Sequence, residues 1–561
     1  MFKKFHDLVL DGIQSRAKRN FILFGTLFGF ILSIAMIAPT KMVLAKMLPG
    51  KNNDTFTIYT TLAEGSSIQQ TNRVTNCVVN LVQQEKEVRD LEVFLGMGAP
   101  LDFAGLIKGS HFKNSENVAE IVLNLSKAHH REEASYFMVQ RMRPNILKQC
   151  GNLYPNTNIS FVEPPAGPPV LAAIVAEIYG NDANGIRELS KKVANVFKNT
   201  KGLVDIEIMH DEIYDTFELK VLSTKVSRSG VSIKQLNDII YLAFEGMEIS
   251  VKNSDIVSDQ IPIYLSLSKD SKKFSKKDIN SIKAKLTSLK LMNKMGMMIP
   301  LTELVEIKTK KSNPMIMSKE LHQMTNVMAE TDMVSQVYPL MDARDVILNT
   351  FTDKYEIKKI GLFNLELKDK QTSKIYKLIW DGEMEVTLDT FVELGAAFIA
   401  ALILIFLLMV IYYKSYTLSG IILLGSFLSI IGVIVGHWIM NLFTTDTFFL
   451  TATSLIGFIA LIGISSRNSL LLIDFTASLM RDKKMSKAKA IALATSTRAK
   501  PIFLTAAAII LASTLLAGDA VFGGLGVSLI FGTLAAVVAS LIIVPVLMYN
   551  ADLERHFNLD K

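Results

Sequence analysis

Apolar residues are concentrated in one early block and in the last third of the chain, and a long polar stretch separates the two. About 20 apolar residues are enough for a helix to cross a bilayer, so the pattern predicts six membrane-spanning helices. The predicted spans are 21–39, 391–412, 417–439, 451–475, 499–517 and 523–548. The sequence therefore predicts a membrane protein with a helical bundle and one large water-exposed domain.

The polar stretch alternates between strand-like and helix-like segments, which predicts an α/β domain. Residues 54–61 alternate in polarity as a strand does, and residues 68–84 repeat apolar positions at helical spacing. A second pair follows at 117–149, where Pro144 is expected to kink or interrupt the helix near its end. Two strand–helix units in a row suggest small βαβ modules. Residues 249–312 are predicted to be rich in β-strands.

The charges of the loops orient the predicted helices. Segment 479–500 carries a large excess of Lys and Arg, and segment 1–20 is also basic, whereas loop 440–445 contains neither residue. Basic loops stay on the cytoplasmic side of a membrane, so we expect 1–20 and the tail 549–561 inside and residues 40–390 outside. The first span lacks a good signal-peptidase site, so we expect it to remain uncleaved.

Composition narrows the function classes further. The formal net charge of +7 is explained by the basic cytoplasmic loops, so it requires no nucleic-acid partner. Cys77 and Cys150 both lie in the predicted outer domain. An oxidising compartment permits a bridge, but two cysteines do not require one, so a disulfide and two free thiols both stay open. The chain has no nucleotide-binding loop and no enzyme motif, and we expect neither catalysis nor a cofactor.

The fourth predicted span carries Arg467 and Asn468 well inside its apolar run. A charge inside a membrane costs at least ~2.5 kcal/mol on insertion scales, so such residues usually face a bundle interior. Gly457 and Gly463 would let a neighbouring helix approach closely. We therefore interpret the span as a charged relay element. Alternatively, Arg467 snorkels to the inner headgroups, although it lies about two turns before Asp474.

Several short strings occur in the order and spacing of one protein family. They are Leu48-Pro49, Glu64–Ser67, Pro164–Leu171, Gly230–Ile233, Ile299–Leu301, Ala452–Ser454, Arg467–Asp474 and Arg498–Thr505. Together they resemble the C-terminal half of a resistance-nodulation-division (RND) efflux permease, over nearly the whole chain. The string Arg-Asn-Ser-Leu-Leu-Leu-Ile-Asp and the double Pro-Pro string are the most specific. Four prolines within 163–169 also predict a stiff, extended crossing between subdomains.

The resemblance implies a proton-driven trimeric pump in a bacterial inner membrane, which exports hydrophobic or amphiphilic compounds. It implies two partners, a periplasmic adaptor and an outer-membrane channel. Residues 48–170 and about 313–388 would form porter subdomains of βαβ modules, with a β-rich docking insertion at about 217–300. By position, Arg467 corresponds to the family's basic relay residue and Thr505 to the relay hydroxyl. Together with the adjacent Asn468, these two residues are the predicted proton relay.

One departure from the family pattern limits this interpretation. Full-length members have twelve helices in two similar halves, and the acids that carry the proton lie in the half that has no counterpart here. Glu393 lies near the outer end of its predicted span and Asp474 near the inner end of another, so no carboxylate is expected near the middle. Proton pickup inside a membrane requires such a carboxylate. We therefore expect the chain to act with a separate N-terminal half.

Heavy-metal export of the Cu/Ag type is an alternative within the same family. Four methionines cluster in the predicted docking insertion, and thioethers suit Cu(I), but methionine is also a common core filler. They are Met292, Met295, Met297 and Met298. His437 lies next to a tryptophan near the outer end of its span, and we interpret it as an interfacial anchor.

Two further classes share parts of the pattern. Accessory subunits of protein export have six helices with a large domain after the first, but the string around Arg467 does not fit them. An inactive remnant of a split gene is the other alternative. The apolar spans and helix caps show no decay in this sequence.

Overall fold

The structure is a computed structural model that describes residues 2–100, 103–109, 113–164, 166–167, 170–268, 270–272, 279–444 and 446–557. Three of the four prolines in the double-proline string, Pro165, Pro168 and Pro169, lie outside the described residues. The stiff crossing expected there therefore stays a prediction. Part of the expected docking insertion and the last four residues of the expected tail also lie outside.

The chain begins with two helices, α1 (Phe2–Gln14) and α2 (Arg16–Ile37). Ser15 separates them and caps α2, since its Oγ accepts a hydrogen bond from the backbone N–H of Lys18. The amphipathic α1 buries Val9 and Ile13 in a core shared with later helices. Long apolar side chains of α2 remain exposed, as in a helix that contacts lipid.

The first part of the outer domain is a sheet covered by helices. Its elements are β1 (Thr55–Thr61), α3 (Ile68–Val82), β2 (Val88–Leu95), α4 (Phe103–Lys108), β3 (Val118–Leu125), α5 (Ser135–Gln149) and β4 (Asn158–Val162). The strand order is β2-β3-β1-β4, and every adjacent pair is antiparallel. With α3 and α5 as the connections, the topology is βαββαβ. The core between sheet and helices includes Phe56, Ile58 and Met138.

Two local features of this part answer questions left by the sequence. Cys77 in α3 is disulfide-bonded to Cys150, which follows α5, with a Cα–Cα distance of 5.8 Å. Of the two outcomes expected at Pro144, a kink or an interruption, the interruption is wrong, because α5 continues to Gln149; the kink stays a prediction. Pro144 is exposed, so water can solvate the carbonyl group that loses its hydrogen-bond donor.

The next three elements are β5 (Ile174–Tyr179), α6 (Ala183–Asn199) and β6 (Leu203–Ile208). Asp182 caps α6, because its carboxylate accepts a hydrogen bond from the backbone N–H of Gly185 at 3.2 Å. The apolar face of α6, with Leu189, Val193 and Phe197, is buried in the second core of the outer domain. These elements belong to a sheet that is completed only after residue 315.

Residues 211–315 form a compact unit of their own. Its elements are β7 (Asp215–Val221), α7 (Ser223–Ser229), α8 (Ile233–Phe244), β8 (Met247–Lys252), β9 (Ile261–Leu265), α9 (Ile279–Ser288), β10 (Lys290–Met292), β11 (Met298–Pro300), α10 (Leu301–Leu304) and β12 (Val305–Lys311). The strands pair as β7–β12, β8–β9 and β10–β11. The prediction that 249–312 is rich in strands is only partly right, because α9 lies within it. Ile282 and Leu286 of α9 are buried at helical spacing.

The second sheet is completed by β13 (Met317–Lys319), β14 (His322–Thr331), α11 (Val337–Thr350), β15 (Tyr355–Ile360), β16 (Asn364–Asp369) and β17 (Ile375–Asp381). Its strand order is β13-β14-β5-β17-β16-β15, and β6 pairs with β14. β17 leads through Gly382 directly into the next helix. The second outer core is therefore connected to a membrane helix by a single residue.

The remaining chain is helical. It comprises α12 (Glu383–Tyr413), α13 (Tyr416–Phe427), α14 (Ser429–Phe443), α15 (Ala452–Asp482), α16 (Lys487–Ala517), α17 (Gly523–Val538), a π-helical turn (Ala539–Ile543), α18 (Val544–Asn550) and α19 (Leu553–His556). In the described part of the chain, six helical segments are long and apolar enough to cross a membrane. They are α2, α12, α13 with α14, α15, α16, and α17 with α18.

Candidate functional site

Arg467 lies at the midpoint of α15, which runs from residue 452 to residue 482. About 22 Å of helix therefore separates it from either end, at 1.5 Å per residue. The helix begins at a capping box, in which Thr451 and Ser454 bond to each other's backbone N–H groups. At the other end the first basic residue beyond the apolar run is Arg481. Because about 22 Å of helix follows Arg467, its side chain would have to extend a long way to reach the inner headgroups.

The Arg467 side chain is exposed on the surface of the helical bundle, whereas the neighbouring Ser466 and Asn468 are buried. Among the residues that the structure describes, Arg467 has no hydrogen bond and no ion pair. A permanent charge is thus presented on the outside of the helical bundle, within the apolar run of α15. Such a group requires a counter-charge or water.

Thr505, the second predicted relay residue, lies on α16 and is also exposed. Its Oγ1 donates to the backbone oxygen of Ile502 at 3.0 Å. No hydrogen bond joins it to Arg467 within the described chain. The side chains of Arg467 and Thr505 therefore both lie on the exterior of the helical bundle, but they are not in direct contact through a hydrogen bond in the described chain.

Asn468, the third predicted relay residue, is directed into the bundle and is only 4% exposed. Two serines on the same side of α15 are buried with it. Ser465 Oγ donates to the backbone oxygen of Gly425 at 3.3 Å, and Ser469 Oγ is buried with no hydrogen-bond partner among the described residues. In this part of α15, the cationic Arg467 is therefore exposed, whereas the neutral side chains of Ser465, Asn468 and Ser469 are buried.

Packing around α15 is close on one side. A β-carbon at Gly457 would lie 2.6 Å from Ser528 Cβ of α17, so this glycine allows the two helices to touch. A β-carbon at Gly463 would meet no atom within 4 Å. The close helix contact expected at Gly457 is therefore present. No neighbouring helix approaches Gly463 in the described part of the chain.

Asp474 accepts a hydrogen bond from a residue that the sequence pattern did not identify. Tyr413, at the end of α12, donates from its Oη to Asp474 Oδ1 at 2.7 Å. An acid within an apolar run was the signal that a partner should be sought, but the partner is 61 residues away. The acidic residues of the described spans lie in the first part of α12 and at Asp474 and Asp482 of α15, so none is at a helix midpoint. Glu393 comes nearest, five residues before the midpoint of α12.

The interpretation of His437 as an interfacial anchor is wrong. Its side chain is fully buried. One ring nitrogen, Nε2, lies 2.9 Å from Ser454 Oγ, and the other, Nδ1, lies 2.8 Å from the backbone oxygen of Val433. Both ring nitrogens are therefore satisfied inside the bundle, as buried polar groups usually are. The histidine links α14 to α15 near the outer ends of these helices.

A cavity of about 170 Å³ lies where the outer domain joins the membrane helices. Glu163, Glu330 and Glu383 line it together with Lys46 and Lys108. Glu330 is paired with Lys108 at 2.7 Å. Burial raises the pKa of Glu163 to about 7. Burial thus favours the neutral form of the Glu163 carboxyl group in the cavity between the outer domain and the start of α12.

Comparison with known proteins gives a consistent picture. The model of the AcrB/AcrD/AcrF family matches residues 11–552. The swarming motility protein SwrC of Bacillus subtilis is 24% identical over 378 residues, which are 66% of this chain and 32% of SwrC. The cobalt-zinc-cadmium resistance protein CzcA of Cupriavidus metallidurans is 21% identical over 398 residues, which are 67% of this chain and 33% of CzcA.

Two further comparisons concern a multidrug exporter and a solved structure. The multidrug export protein AcrF of Escherichia coli is 26% identical over 149 residues, which are 26% of this chain and 14% of AcrF. The crystal structure of a heavy metal efflux pump superposes with a TM-score of 0.72 at 17% identity, covering 98% of this chain and 51% of the pump. The chain spans about a third of the length of SwrC and about half of that pump chain.

Proposed function

Because the chain belongs to the AcrB/AcrD/AcrF family of RND efflux transporters, we propose that it is the C-terminal half of a proton-driven permease. Its cargo is hydrophobic or amphiphilic compounds, taken from the inner membrane or the periplasm. It works with an N-terminal half, which contributes the acidic partners of the relay. Family membership also distinguishes it from protein-export accessory subunits of similar helix layout.

The exposed Arg467 carries this proposal. A cation at the midpoint of a membrane helix is costly if it faces lipid, and this one has no ion pair within the described residues. A second helical bundle that covers this surface would supply acidic partners. The need is reciprocal, because a buried cation requires an anion to offset desolvation and buried acids require a cation to ionise.

Such a pairing gives protons a way to do work. When protons bind the acids of the N-terminal half, the attraction to Arg467 weakens and the helices can shift. Thr505, which is exposed on α16, would offer its hydroxyl oxygen to the same interface. Asn468 is buried on the bundle side of α15 and so keeps a neutral polar group close to Arg467. The movement would reach the outer domain through helices such as α12, which continues from β17 across one glycine.

The same family membership supports our proposal for the assembly. We place the chain in a bacterial inner membrane, with residues 40–390 in the periplasm, as part of a trimer. A periplasmic adaptor and an outer-membrane channel complete the export path. The compact unit 211–315 contains the segment expected to dock, about 217–300, and the two sheets of the outer domain provide the porter subdomains.

Heavy-metal export remains the second candidate, and the structure favours it at one point. The four clustered methionines are not core fillers, because each is at least half exposed. They lie on the hairpin formed by β10 and β11 and on the turn between these strands, with Met292 paired across the hairpin to Met298. Exposed thioethers are available to a soft cation such as Cu(I).

Reconstitution tests the main proposal. The chain is placed in liposomes alone and together with a candidate N-terminal half, a proton gradient is imposed, and efflux of a fluorescent amphiphile is compared with efflux of Cu(I). We expect amphiphile transport only when both halves are present. Robust transport by this chain alone would refute the requirement for a partner. No transport by the pair, with both folded, would identify an inactive remnant.

A further inference from the structure

A groove of about 450 Å³ separates α2 from the rest of the helical bundle. Ile22, Gly25, Thr26 and Gly29 of α2 line one wall, and α14, α17 and the π-helical turn line the other. The lining is apolar apart from Thr26, whose Oγ1 donates to the backbone oxygen of Ile22 at 2.8 Å. The groove therefore offers an apolar surface, about three times the volume of a ~150 Å³ cavity that holds benzene.

The glycines of the two walls have different roles. A β-carbon at Gly432 of α14 would lie 2.3 Å from the backbone oxygen of Phe531, so this glycine is required for helix packing. A β-carbon at Gly25 or Gly29 would meet no atom within 4 Å. On α2 the glycines thus keep a space free rather than allow a contact within the chain.

Basic residues continue the groove wall at one end. Lys18 precedes Ile22 by four residues and Arg19 precedes it by three, so both lie on the same face of α2 as the groove. Lys18 contacts Asp11 but is still 55% exposed, and the Arg19 guanidinium lies 4.9 Å from the centre of the Tyr549 ring. The distance along α2 from Lys18 to Gly29 is about 16 Å, which is close to half of a ~30 Å hydrocarbon core.

We propose that this groove binds one membrane phospholipid with an anionic headgroup. An acyl chain lies against Gly25 and Gly29, and the phosphate interacts with Lys18 and Arg19. The charge and the length of the groove match one lipid in one leaflet. The lipid fills the space between α2 and the bundle beside Gly25 and Gly29, whereas Phe30 of α2 packs directly against Phe427 at 5.2 Å between ring centroids.

The test measures lipid retention by the full chain. The protein is purified in a mild detergent and titrated with phosphatidylglycerol and with phosphatidylcholine, and bound lipid is counted by native mass spectrometry. We expect one tightly bound phosphatidylglycerol and weaker phosphatidylcholine. Gly29→Leu and Gly25→Leu fill the groove and should each weaken phosphatidylglycerol binding by at least about tenfold. Gly395→Leu is the matched control, since Gly395 of α12 also has open space around its β-carbon position.

A charge variant provides the second arm. Lys18→Gln should weaken phosphatidylglycerol binding about fivefold and leave phosphatidylcholine unchanged. Arg16→Gln should change neither, since Arg16 lies about 120° around α2 from Ile22 of the groove wall. Equal binding of the two lipids by the parent chain would overturn the proposal. Unchanged binding in both groove-filling variants would also overturn it, and so would displacement of the lipid by an amphiphilic cargo at equal concentration.

Discussion

Tyr413 Oη, at the end of α12, donates a hydrogen bond to Asp474 Oδ1 in α15 over 2.7 Å. We expect Tyr413→Phe to lower the free energy of unfolding by about 1–3 kcal/mol, because the carboxylate loses its donor. Thermal unfolding in detergent measures the change. Tyr412→Phe is the control, since Tyr412 is adjacent and 64% exposed. Equal Tm values for the two variants would show that the bond contributes nothing.

Arg467→Ala should abolish proton-driven transport in the assembled pump, because the acids of the partner half lose their counter-charge. Expression and assembly should stay near the parent level. Arg467→Lys should keep part of the activity, since it retains the charge but not the planar fork. Arg481→Ala, at the end of the same helix, controls for loss of an arginine. Parent-level transport by Arg467→Ala would support the snorkelling interpretation instead.

Glu163 should make stability depend on pH. The pKa of the Glu163 carboxyl group is about 7 in the folded chain, above the ordinary value of 4.5. The stability that this shift contributes is therefore fully present below pH 4.5 and is lost as the pH rises through 7. Glu163→Gln should therefore match the parent at pH 4.5. At pH 8 the variant should be more stable, by on the order of 2 kcal/mol.

Thermal unfolding at several pH values measures this effect. Glu132→Gln serves as the control, because the Glu132 side chain is 83% exposed and should give a profile parallel to that of the parent. A Glu163→Gln profile that is also parallel would mean that the Glu163 carboxyl group does not retain its proton in the folded chain.

The bridge between Cys77 and Cys150 closes a separation of 73 residues. Its removal should lower the free energy of unfolding by about 2–4 kcal/mol, because the unfolded chain is less constrained. We expect a reducing agent to lower the Tm of the parent. The double variant Cys77→Ala/Cys150→Ala should start at the lower Tm and should not respond to the agent. A parent Tm that is insensitive to full reduction would contradict the prediction.

Membrane sidedness can be read with single cysteines, since the two native ones are bonded to each other. Ser486 and Ser258 are both exposed and lie on opposite predicted sides. In intact cells a membrane-impermeant maleimide should label Ser258→Cys once the outer membrane is permeabilised. Ser486→Cys should react only after the inner membrane is opened. Labelling of Ser486→Cys from outside would reverse the proposed topology.

The apolar runs predicted six helices, and the described part of the chain contains six helical segments of sufficient length. The positions of the helix ends depend on other forces. Helix α16 begins at Lys487, well before the apolar run at 499. Hydropathy identifies the part of a helix that lipid can solvate, whereas backbone hydrogen bonding continues through basic residues in water. A span read from hydropathy is thus shorter than the helix that contains it.

The candidate site was predictable in part. A charge inside an apolar run singled out Arg467 before any coordinates, because the cost of burying it is large. Which way Arg467 and Asn468 point could not be read from the sequence, since adjacent helical residues differ by about 100° and either could face inward. The contacts of His437 with Ser454 and of Tyr413 with Asp474 join separate helices. The polar residue inside an apolar run signals that a partner is needed, but the local pattern does not identify which residue it is.

Residues 211–315 leave the chain and rejoin it at nearly the same place. The backbone N–H of Met315 donates to Asp211 Oδ2 at 2.8 Å, and that of Ser312 donates to the backbone oxygen of Tyr214 at 2.8 Å. When both ends of an insertion are tied together in this way, its interior can lengthen or diverge at little cost in loop entropy. The segment 211–315 can therefore be exchanged between related proteins as one unit. Its sequence can also evolve at a different rate from that of the strands that flank it.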